Sequence, residues 1–306
     1  MDVSMRDLTF DPTQLPGLSE RLLSSHHRNN YGGAVRRLGA IRRQLAELSF
    51  TDTPVFVLNG LKREELIASN SMLLHELYFD SLGGAGIEML PAMALALSAS
   101  FGSVARWRDE FVALGKALGG GSGWVLLSWE PREARLVNQW AADHTHALAG
   151  ATPILALDMY EHAYHLDHGA QAGAYVDAFM ANIAWAKVYE RYQQAVHAAS
   201  DGLAATPDEV DPARLIVLDV RRDAMYEQAA TVLPGACWRD PAKVSEWAAE
   251  LPAGSEVLVY CIYGHEVGRS TALRLRAQGI QARFLAGGID GWTRDGRTLQ
   301  AKPTAG

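Results

Sequence analysis

Hydrophobic residues in the first part of the chain recur at helical spacing. From Leu18 to Leu48 they return every three or four positions, with an interruption at Tyr31-Gly32-Gly33-Ala34, and this period indicates an amphipathic helix. The pattern predicts either two helices or one helix with a close-packed point. Further helices are predicted over residues 62–79 and 101–118, the first of them after a turn at Asn59-Gly60.

In the middle of the chain the pattern changes to short apolar runs. Glycines at 119–123 lead into a predicted strand, Trp124–Trp129, and a second strand is predicted at Ala134–Trp140 after a turn. A long, aromatic-rich helix is predicted from Tyr175 to Ala199. Residues 200–212 have no periodicity, two prolines and several acids, and this composition predicts a linker.

Beyond the linker, apolar runs alternate with helical patterns. The predicted strands are residues 215–220, 256–260 and 282–285, and the predicted helices are 244–251 and 269–278. Such alternation indicates a small parallel sheet. The sequence therefore predicts two domains, at residues 1–199 and 213–306, joined by a linker at 200–212.

Composition narrows the classes of function. The 306 residues carry a formal net charge of −7, which does not favour binding to nucleic acid or to an anionic membrane. No apolar run approaches the roughly 20 residues that span a bilayer, and the first residues do not read as a signal peptide. Two cysteines, Cys237 and Cys261, give no disulfide framework and suit a reducing compartment. We therefore expect a cytoplasmic protein without a membrane or nucleic-acid partner.

The stretch from Asp158 to Gly169 carries the first candidate chemistry. If it is helical, Asp158 and His162 lie four residues apart and project from one face, where they could hold one metal ion. The apolar run just before Asp158, residues 153–157, predicts that the carboxylate is buried, which is costly unless a cation compensates. The alternative is a solvated helix face, because this spacing is common by chance.

Three separated segments together resemble the iron/manganese superoxide dismutases over residues 10–195. They are His26-His27 after an apolar helical pair, His75-Glu76-Leu77-Tyr78-Phe79, and Asp158-Met-Tyr-Glu-His162-Ala-Tyr164, which is similar to the family's D-x-W-E-H-A-Y. The resemblance implies an N-terminal helical hairpin followed by an α+β portion. It also implies a homodimer formed through this domain, with Glu161 and Tyr164 at the interface.

The resemblance implies four metal ligands, His26, His75, Asp158 and His162, and one iron or manganese ion per chain. Three imidazoles and one carboxylate suit either metal. The alternative for each histidine is a hydrogen-bonded core residue. His144, in Asp143-His144-Thr145-His146, resembles the histidine with which some family members orient solvent at the metal. A solvated loop histidine is the alternative there.

Some positions depart from the family pattern. The family's gateway histidine and tyrosine correspond to Asn30 and Ala34, and Tyr31 would face another direction on a regular helix. The family's tryptophan within D-x-W-E-H is Tyr160 here, and the arginine of its anion entrance has no counterpart in Ala172-Gly173-Ala174-Tyr175. Because steering of superoxide depends on positive potential, dismutation could be slow, or the substrate could be another small oxidant.

Residues 213–303 resemble a rhodanese (sulfurtransferase) domain. The matching segments are Asp219-Val220-Arg221, Pro234-Gly235-Ala236, the loop from Cys261 through Gly264, His265 and Glu266 to Gly268, and Gly287-Gly288 with Trp292. A cysteine between a strand and a helix is surrounded by backbone N–H groups that can hold a thiolate or persulfide. The resemblance implies that Cys261 takes sulfur from a donor, and an inert buried thiol is the alternative.

Glu266 is the departure in this loop, because the family often has an arginine at this position. An acid there would repel anionic donors and oppose thiolate formation, so a persulfide relay or redox sensing is as plausible as sulfur transfer from thiosulfate. Cys237 lacks the loop setting and is expected to be structural.

Three hypotheses follow from the two resemblances. The first is an iron or manganese superoxide dismutase, converting two superoxide ions and two protons to oxygen and hydrogen peroxide, fused to a rhodanese-like domain with Cys261 as its sulfur-carrying residue. The second is a metal-dependent reductase acting on an oxyanion or peroxide, with Cys261 as a thiol partner. The third is a non-catalytic scaffold or sensor.

Overall fold

A computed structural model describes residues 3–252 and 254–303. The chain separates into two compact units. The first comprises Met1–Met89, Arg108–Ser128 and Asn138–Val188, and the second comprises Leu90–Trp107, Trp129–Val137 and Tyr189–Gly306. Across the described residues, no helix combines the length and the apolarity needed to cross a membrane.

Helices dominate the first 200 residues. They are α1 (Glu20–Ser25), a π-helical segment (His26–Tyr31), α2 (Gly32–Glu47), α3 (Val55–Asp80), α4 (Pro91–Phe101), α5 (Val104–Ala117), α6 (His165–His168), α7 (Ala172–Ala181) and α8 (Trp185–Ser200).

The predicted N-terminal helical region is one continuous helical path. Ser19 caps α1 by accepting a hydrogen bond from the Leu22 backbone N–H at 3.1 Å, and α1 leads through the π-helical segment into α2. The glycines do not break the path. A Cβ on Gly32 would lie 2.7 Å from the Met5 sulfur, so this is the close-packed point that the sequence left open. Apolar residues of α2 then pack on α3 to form a hairpin.

Some helix boundaries differ from the sequence prediction. Asn59-Gly60 lies inside α3, so the predicted turn was wrong: packing of the helix overrides the local turn signal. The predicted 101–118 helix begins three residues later, at Val104, because Gly102 has a φ of 87° and ends the unpredicted helix α4. The predicted 175–199 helix is divided between α7 and α8, where the Ala184 N–H donates to the Ser81 carbonyl at 2.7 Å.

Three strands follow α5: β1 (Trp124–Glu130), β2 (Arg135–Ala141) and β3 (Thr152–Asp158), in the order β2-β1-β3. The first two match the predicted pair. The third corrects the helical interpretation of the segment that starts at Asp158, because this residue ends a strand instead. A 3₁₀ turn, Glu161–Ala163, follows before α6.

The C-terminal part is built on a parallel sheet. The strands of this part are β4 (Ala204–Ala205), β5 (Ile216–Asp219), β6 (Thr231–Val232), β7 (Cys237–Trp238), β8 (Glu256–Tyr260), β9 (Gln281–Leu285) and β10 (Gln300–Ala301). The helices of this part are α9 (Asp223–Glu227), α10 (Val244–Trp247), α11 (Glu266–Ala277) and α12 (Gly288–Arg294). Five strands pair in parallel in the order β4-β9-β8-β5-β7, and β6 pairs antiparallel with β10.

Alternation along β8 places two hydrophobic clusters on opposite faces of this sheet. Val257 and Val259 belong to one cluster, and Leu258 and Tyr260 belong to the other, as expected when successive side chains point to opposite faces. The α/β architecture predicted for this domain is therefore present.

The segment predicted to be a linker, residues 200–212, contains ordered structure. Ala204 and Ala205 form the edge strand β4, paired with Phe284 and Leu285. Two prolines and several acids suggested a loop, but a two-residue strand is too short to leave a periodic signal. The limits of the two domains, including those of the linker, stay a prediction.

Candidate metal centre and cysteine loop

Four side chains from four separate segments converge in the first unit. They are His26 from the π-helical segment, His75 from α3, Asp158 from the end of β3 and His162 from the 3₁₀ turn. One ligand atom of each lies within 4.8 Å of the others. The Asp158 Oδ2 atom lies 3.1 Å from the His26 Nε2 atom, 3.5 Å from that of His75 and 3.2 Å from that of His162.

The hydrogen bonding of His75 shows that its second ring nitrogen faces Asp158 without a proton between them. Its Nδ1 lies 2.6 Å from the Ser71 carbonyl oxygen, which can only accept, so Nδ1 carries the proton and Nε2 presents a lone pair. That lone pair faces a carboxylate oxygen. Within the described part of the chain, the Nε2 atoms of His75 and His26 are buried without a hydrogen-bond partner. A cation between these atoms and Asp158 would satisfy all of them.

Burial sets the charge of the cluster. It lowers the pKa of His26, and it lowers the pKa of His75 to about 3. Burial alone would raise the pKa of Asp158, but the charge and hydrogen bond of His162 outweigh it, with the nearby His26 ring acting in the same direction, and the pKa is lowered. At neutral pH the cluster therefore offers neutral His26 and His75 imidazoles and one carboxylate, which are metal-binding protonation states.

His144 lies beside this cluster, held by Trp124. The Trp124 indole N–H donates to the His144 Nδ1 at 2.9 Å. Because an indole N–H only donates, Nδ1 must accept, and a neutral His144 then carries its proton on Nε2. The His144 ring lies 6.2 Å from that of His75. The structure thus places a fixed imidazole N–H donor next to the four candidate ligands.

Tyr160, which stands where the family has a tryptophan, fills the space between two histidines. Its ring stacks at 4.8 Å on His144 and at 5.4 Å on His162. Burial raises the pKa of Tyr160 to about 12, with the charge of Asp158 acting in the same direction. The substitution therefore keeps an aromatic wall and adds a hydroxyl that stays protonated.

Sequence reasoning considered Tyr31 and set it aside, but this residue lies close to the cluster. A π-helix closes hydrogen bonds between residues five apart, so His26 and Tyr31 point closer to one side than on an α-helix. Tyr31 is buried, its ring lies 6.4 Å from that of His75, and its hydroxyl donates to Glu76 at 3.0 Å. The expectation for a regular helix was wrong because this segment is not regular.

The remaining predicted residues of this half lie around the cluster. Asn30 is partly buried, and Ala34 is buried in α2, so neither provides the family's gateway side chains. Glu161 is exposed, whereas Tyr164 is buried and stacks at 5.3 Å on Tyr175.

Cys261 follows β8 and is buried in a turn of the second unit. Burial raises the pKa of its thiol, although hydrogen bonds from the backbone N–H groups of four loop residues oppose this: Tyr263, Gly264, His265 and Gly268. Gly264 has a φ of 69°, and a Cβ there would lie 2.7 Å from the Leu285 carbonyl oxygen. Only glycine fits this turn.

Other predicted residues of the cysteine loop have structural partners. Arg221 and Asp219 form a buried ion pair, with the Arg221 Nε atom 2.9 Å from both carboxylate oxygens. His265 is exposed, and Glu266 is buried as the first residue of α11. Cys237, which we expected to be structural, is an exposed thiol.

Comparison with known proteins matches two parts of the chain to two families. Residues 90–191 match the family described as iron/manganese superoxide dismutases, C-terminal domain, and residues 202–295 match the rhodanese-like domain. A superoxide dismutase [Fe] of Cupriavidus metallidurans is 63% identical over 192 residues, which cover 63% of this chain and 97% of that protein.

More distant relatives carry either metal in their names. A superoxide dismutase [Mn] of Halobacterium salinarum is 35% identical over 182 residues, covering 59% of this chain and 89% of its own length. A superoxide dismutase [Fe] of Aquifex pyrophilus is 33% identical over 195 residues, covering 61% and 90%. The chain therefore belongs to the iron/manganese superoxide dismutase family of oxidoreductases through its N-terminal part, and it carries a rhodanese-like domain at its C-terminal end.

Proposed function

We propose that this protein is a superoxide dismutase whose single iron or manganese ion is held by His26, His75, Asp158 and His162. One observation carries the proposal: three imidazole Nε2 atoms lie within 3.5 Å of one buried carboxylate oxygen. Iron is in the name of the relative with 63% identity, and manganese is in the name of another. The donor set suits both ions.

An iron or manganese ion held by these four residues would supply the one-electron redox chemistry by which two superoxide ions and two protons give oxygen and hydrogen peroxide. The carboxylate of Asp158 provides the anionic ligand that supports both oxidation states. His144, whose ring lies 6.2 Å from that of His75, would offer its Nε2 proton as a hydrogen bond to solvent or to the incoming anion. Tyr160 shields one side of His162 from water.

Metal analysis with a matched histidine control tests the proposal. We expect about one iron or manganese ion per chain in the wild type and loss of the ion in His26→Ala and Asp158→Asn. His27→Ala should keep it, because its ring contacts the Arg6 carbonyl, away from Asp158. Wild-type protein from metal-replete cells with neither ion would exclude the proposal. A superoxide assay on the metal-loaded protein then separates dismutation from a metal-dependent reductase.

We also propose that the dismutase-like part forms a homodimer. Support comes from Glu161, which lies next to the candidate ligand His162 and is exposed in the single chain, where its carboxylate is available to a second copy. Sedimentation of the purified protein as a monomer at micromolar concentration would contradict this.

For the second domain we propose that Cys261 accepts a sulfane sulfur. With thiosulfate as donor, the Cys261 thiolate attacks the outer sulfur, a new S–S bond forms, and the S–S bond of thiosulfate breaks to release sulfite with the electron pair. Four backbone N–H groups directed at Cys261 Sγ support this step, because they stabilise the anionic sulfur. Mass spectrometry of a Cys237→Ser background should find one added sulfur on Cys261, and its absence with several donors would refute the proposal.

A further inference from the structure

Helix α8 contacts the cysteine loop through residues that precede the rhodanese-like match. Tyr189 and Gln193 lie four residues apart and therefore share one face of the helix. The Tyr189 hydroxyl donates to one carboxylate oxygen of Glu266, and the Gln193 side-chain amide donates to the other at 2.9 Å. Glu266 is only 6% exposed. Its carboxylate is thus held from both sides by α8.

A second contact holds the same loop from the end of α8. The Arg269 Nη1 atom donates to Ser200 Oγ at 3.2 Å and to Asp201 Oδ1 at 2.8 Å. The Arg269 Nε atom donates to the Gly264 carbonyl at 3.1 Å, inside the cysteine loop. One guanidinium therefore links the end of α8 to the turn around Cys261.

These contacts explain the acid at a position where an arginine was expected. Glu266 begins the 12-residue helix α11, where a negative charge is favourable, and both of its oxygens are occupied by neutral donors. A cavity of about 210 Å³ beside Cys261 is lined by Tyr189 as well as by Glu266 and Arg222. The Tyr189 ring thus forms part of the wall that a ligand of Cys261 would meet.

We infer that Tyr189 and Gln193 are positioning residues of the Cys261 site. By holding Glu266, they fix the turn in which four backbone N–H groups face the Cys261 sulfur. Residues within the dismutase-like sequence or directly after it thereby complete the sulfur site, and the rhodanese-like segment alone does not contain all of it. The inference depends on the proposed sulfur chemistry for the biological role of the Cys261 site. The positioning role itself can be tested separately, because the reactivity of the thiol can be measured without a sulfur donor.

The test is the pH profile of Cys261 alkylation by iodoacetamide, in full-length protein with Cys237→Ser. Tyr189→Phe and Gln193→Ala should each slow alkylation at neutral pH about tenfold, the size expected when a hydrogen bond to a charged group is lost. The midpoint of the profile should move to higher pH, because misaligned N–H groups stabilise the thiolate less. Gln194→Ala is the matched control, since Gln194 is exposed on the same helix, and it should leave the profile unchanged.

A double-mutant cycle shows whether the effect passes through Glu266. In a Glu266→Ala background, Tyr189→Phe should have no further effect on the profile. Unchanged profiles in both single variants, or an equal effect of Tyr189→Phe with and without Glu266, would overturn the inference. If the profiles change as expected while Cys261 takes no sulfur from thiosulfate or a neutral trisulfide, the positioning role is supported and the proposed sulfur chemistry fails.

Discussion

The tautomers of two histidines near the candidate metal centre are determined by whether their hydrogen-bond partners donate or accept. A carbonyl oxygen fixes the tautomer of His75, and an indole N–H fixes that of His144. The first leaves a lone pair directed at Asp158, and the second leaves a proton on Nε2 of a ring that lies 6.2 Å from that of His75. Both assignments follow from one contact each, and both are required for the roles proposed above.

Trp124→Phe should weaken the proposed dismutase activity while the metal content stays near one ion per chain. Without the indole donor, His144 can exchange tautomers and loses its fixed Nε2 proton. We expect kcat to fall about tenfold, which is less than the roughly 10²–10⁴ that a positioned proton donor contributes, because the imidazole itself is retained. Trp140→Phe is the control, because Trp140 is 51% exposed. Unchanged kcat in Trp124→Phe, measured by pulse radiolysis at equal metal content, would argue against a role for this tautomer.

The sequence predicted the four candidate ligands one residue at a time, and the structure brings all four together. Asp158 and His162 were paired through a helical spacing, but a strand end and a 3₁₀ turn bring them together instead. The four ligands were identified from the family resemblance, which matches residues in sequence. That identification therefore does not depend on a correct prediction of the secondary structure around Asp158. Tyr31 could not be found in the same way, because a π-helical segment leaves no period that distinguishes it from an α-helix.

At the scale of secondary structure, the predicted 175–199 helix is interrupted where it approaches another segment of the chain closely. The residues after α3 pair with the junction of α7 and α8: Leu82 bridges to Ile183, and the Gly84 N–H donates to the Asn182 carbonyl at 3.0 Å. A Cβ on Gly84 would lie 2.2 Å from the Ile183 carbonyl oxygen. Such long-range pairing is invisible to local periodicity, so the sequence predicted one long helix.

Two glycine substitutions should therefore have opposite effects on stability. Gly84→Ala should lower the free energy of unfolding by about 1–3 kcal/mol, because backbone must move to admit the methyl group. Gly60→Ala should raise it by up to about 1 kcal/mol, because Gly60 lies inside α3 with nothing within 4 Å of an added Cβ. Urea denaturation measures both. A stabilised Gly84→Ala would mean that the segment is not held as closely as described.

The whole chain combines a cluster of four candidate metal ligands in its first unit and a cysteine loop in its second. The order of elements in each half followed from periodicity, since helices, a strand pair and alternating strands were all predicted in the right sequence. The third strand of the first sheet and the edge strand β4 were missed, because one was interpreted through the chemistry of Asp158 and the other has two residues. What the sequence could not supply is the set of contacts between α8 and the cysteine loop.

Metal-free protein should lose stability as the pH falls from 6.5 towards 5. Burial lowers the pKa of His26 from its ordinary 6.5, and lowers the pKa of His75 to about 3, so the unfolded chain takes up protons first. A lowered folded-state pKa gives stability that is complete above the unfolded value and is lost below it. We expect a fall of roughly 2 kcal/mol at pH 5 from His75, and His26 should add to it in the same direction. Asp158 does not contribute in this range, because the effect of its lowered pKa begins near pH 4.

The prediction is tested by urea denaturation at pH 7.5 and pH 5 of three chelator-treated proteins: the wild type, the double variant His26→Gln/His75→Gln, and the control His27→Gln. The double variant should show most of the pH dependence removed, whereas His27→Gln, a change at a partly exposed neighbour, should retain it. An equal loss of stability in all three proteins would assign the pH dependence to other groups. It would also contradict the burial of neutral imidazoles on which the candidate metal centre depends.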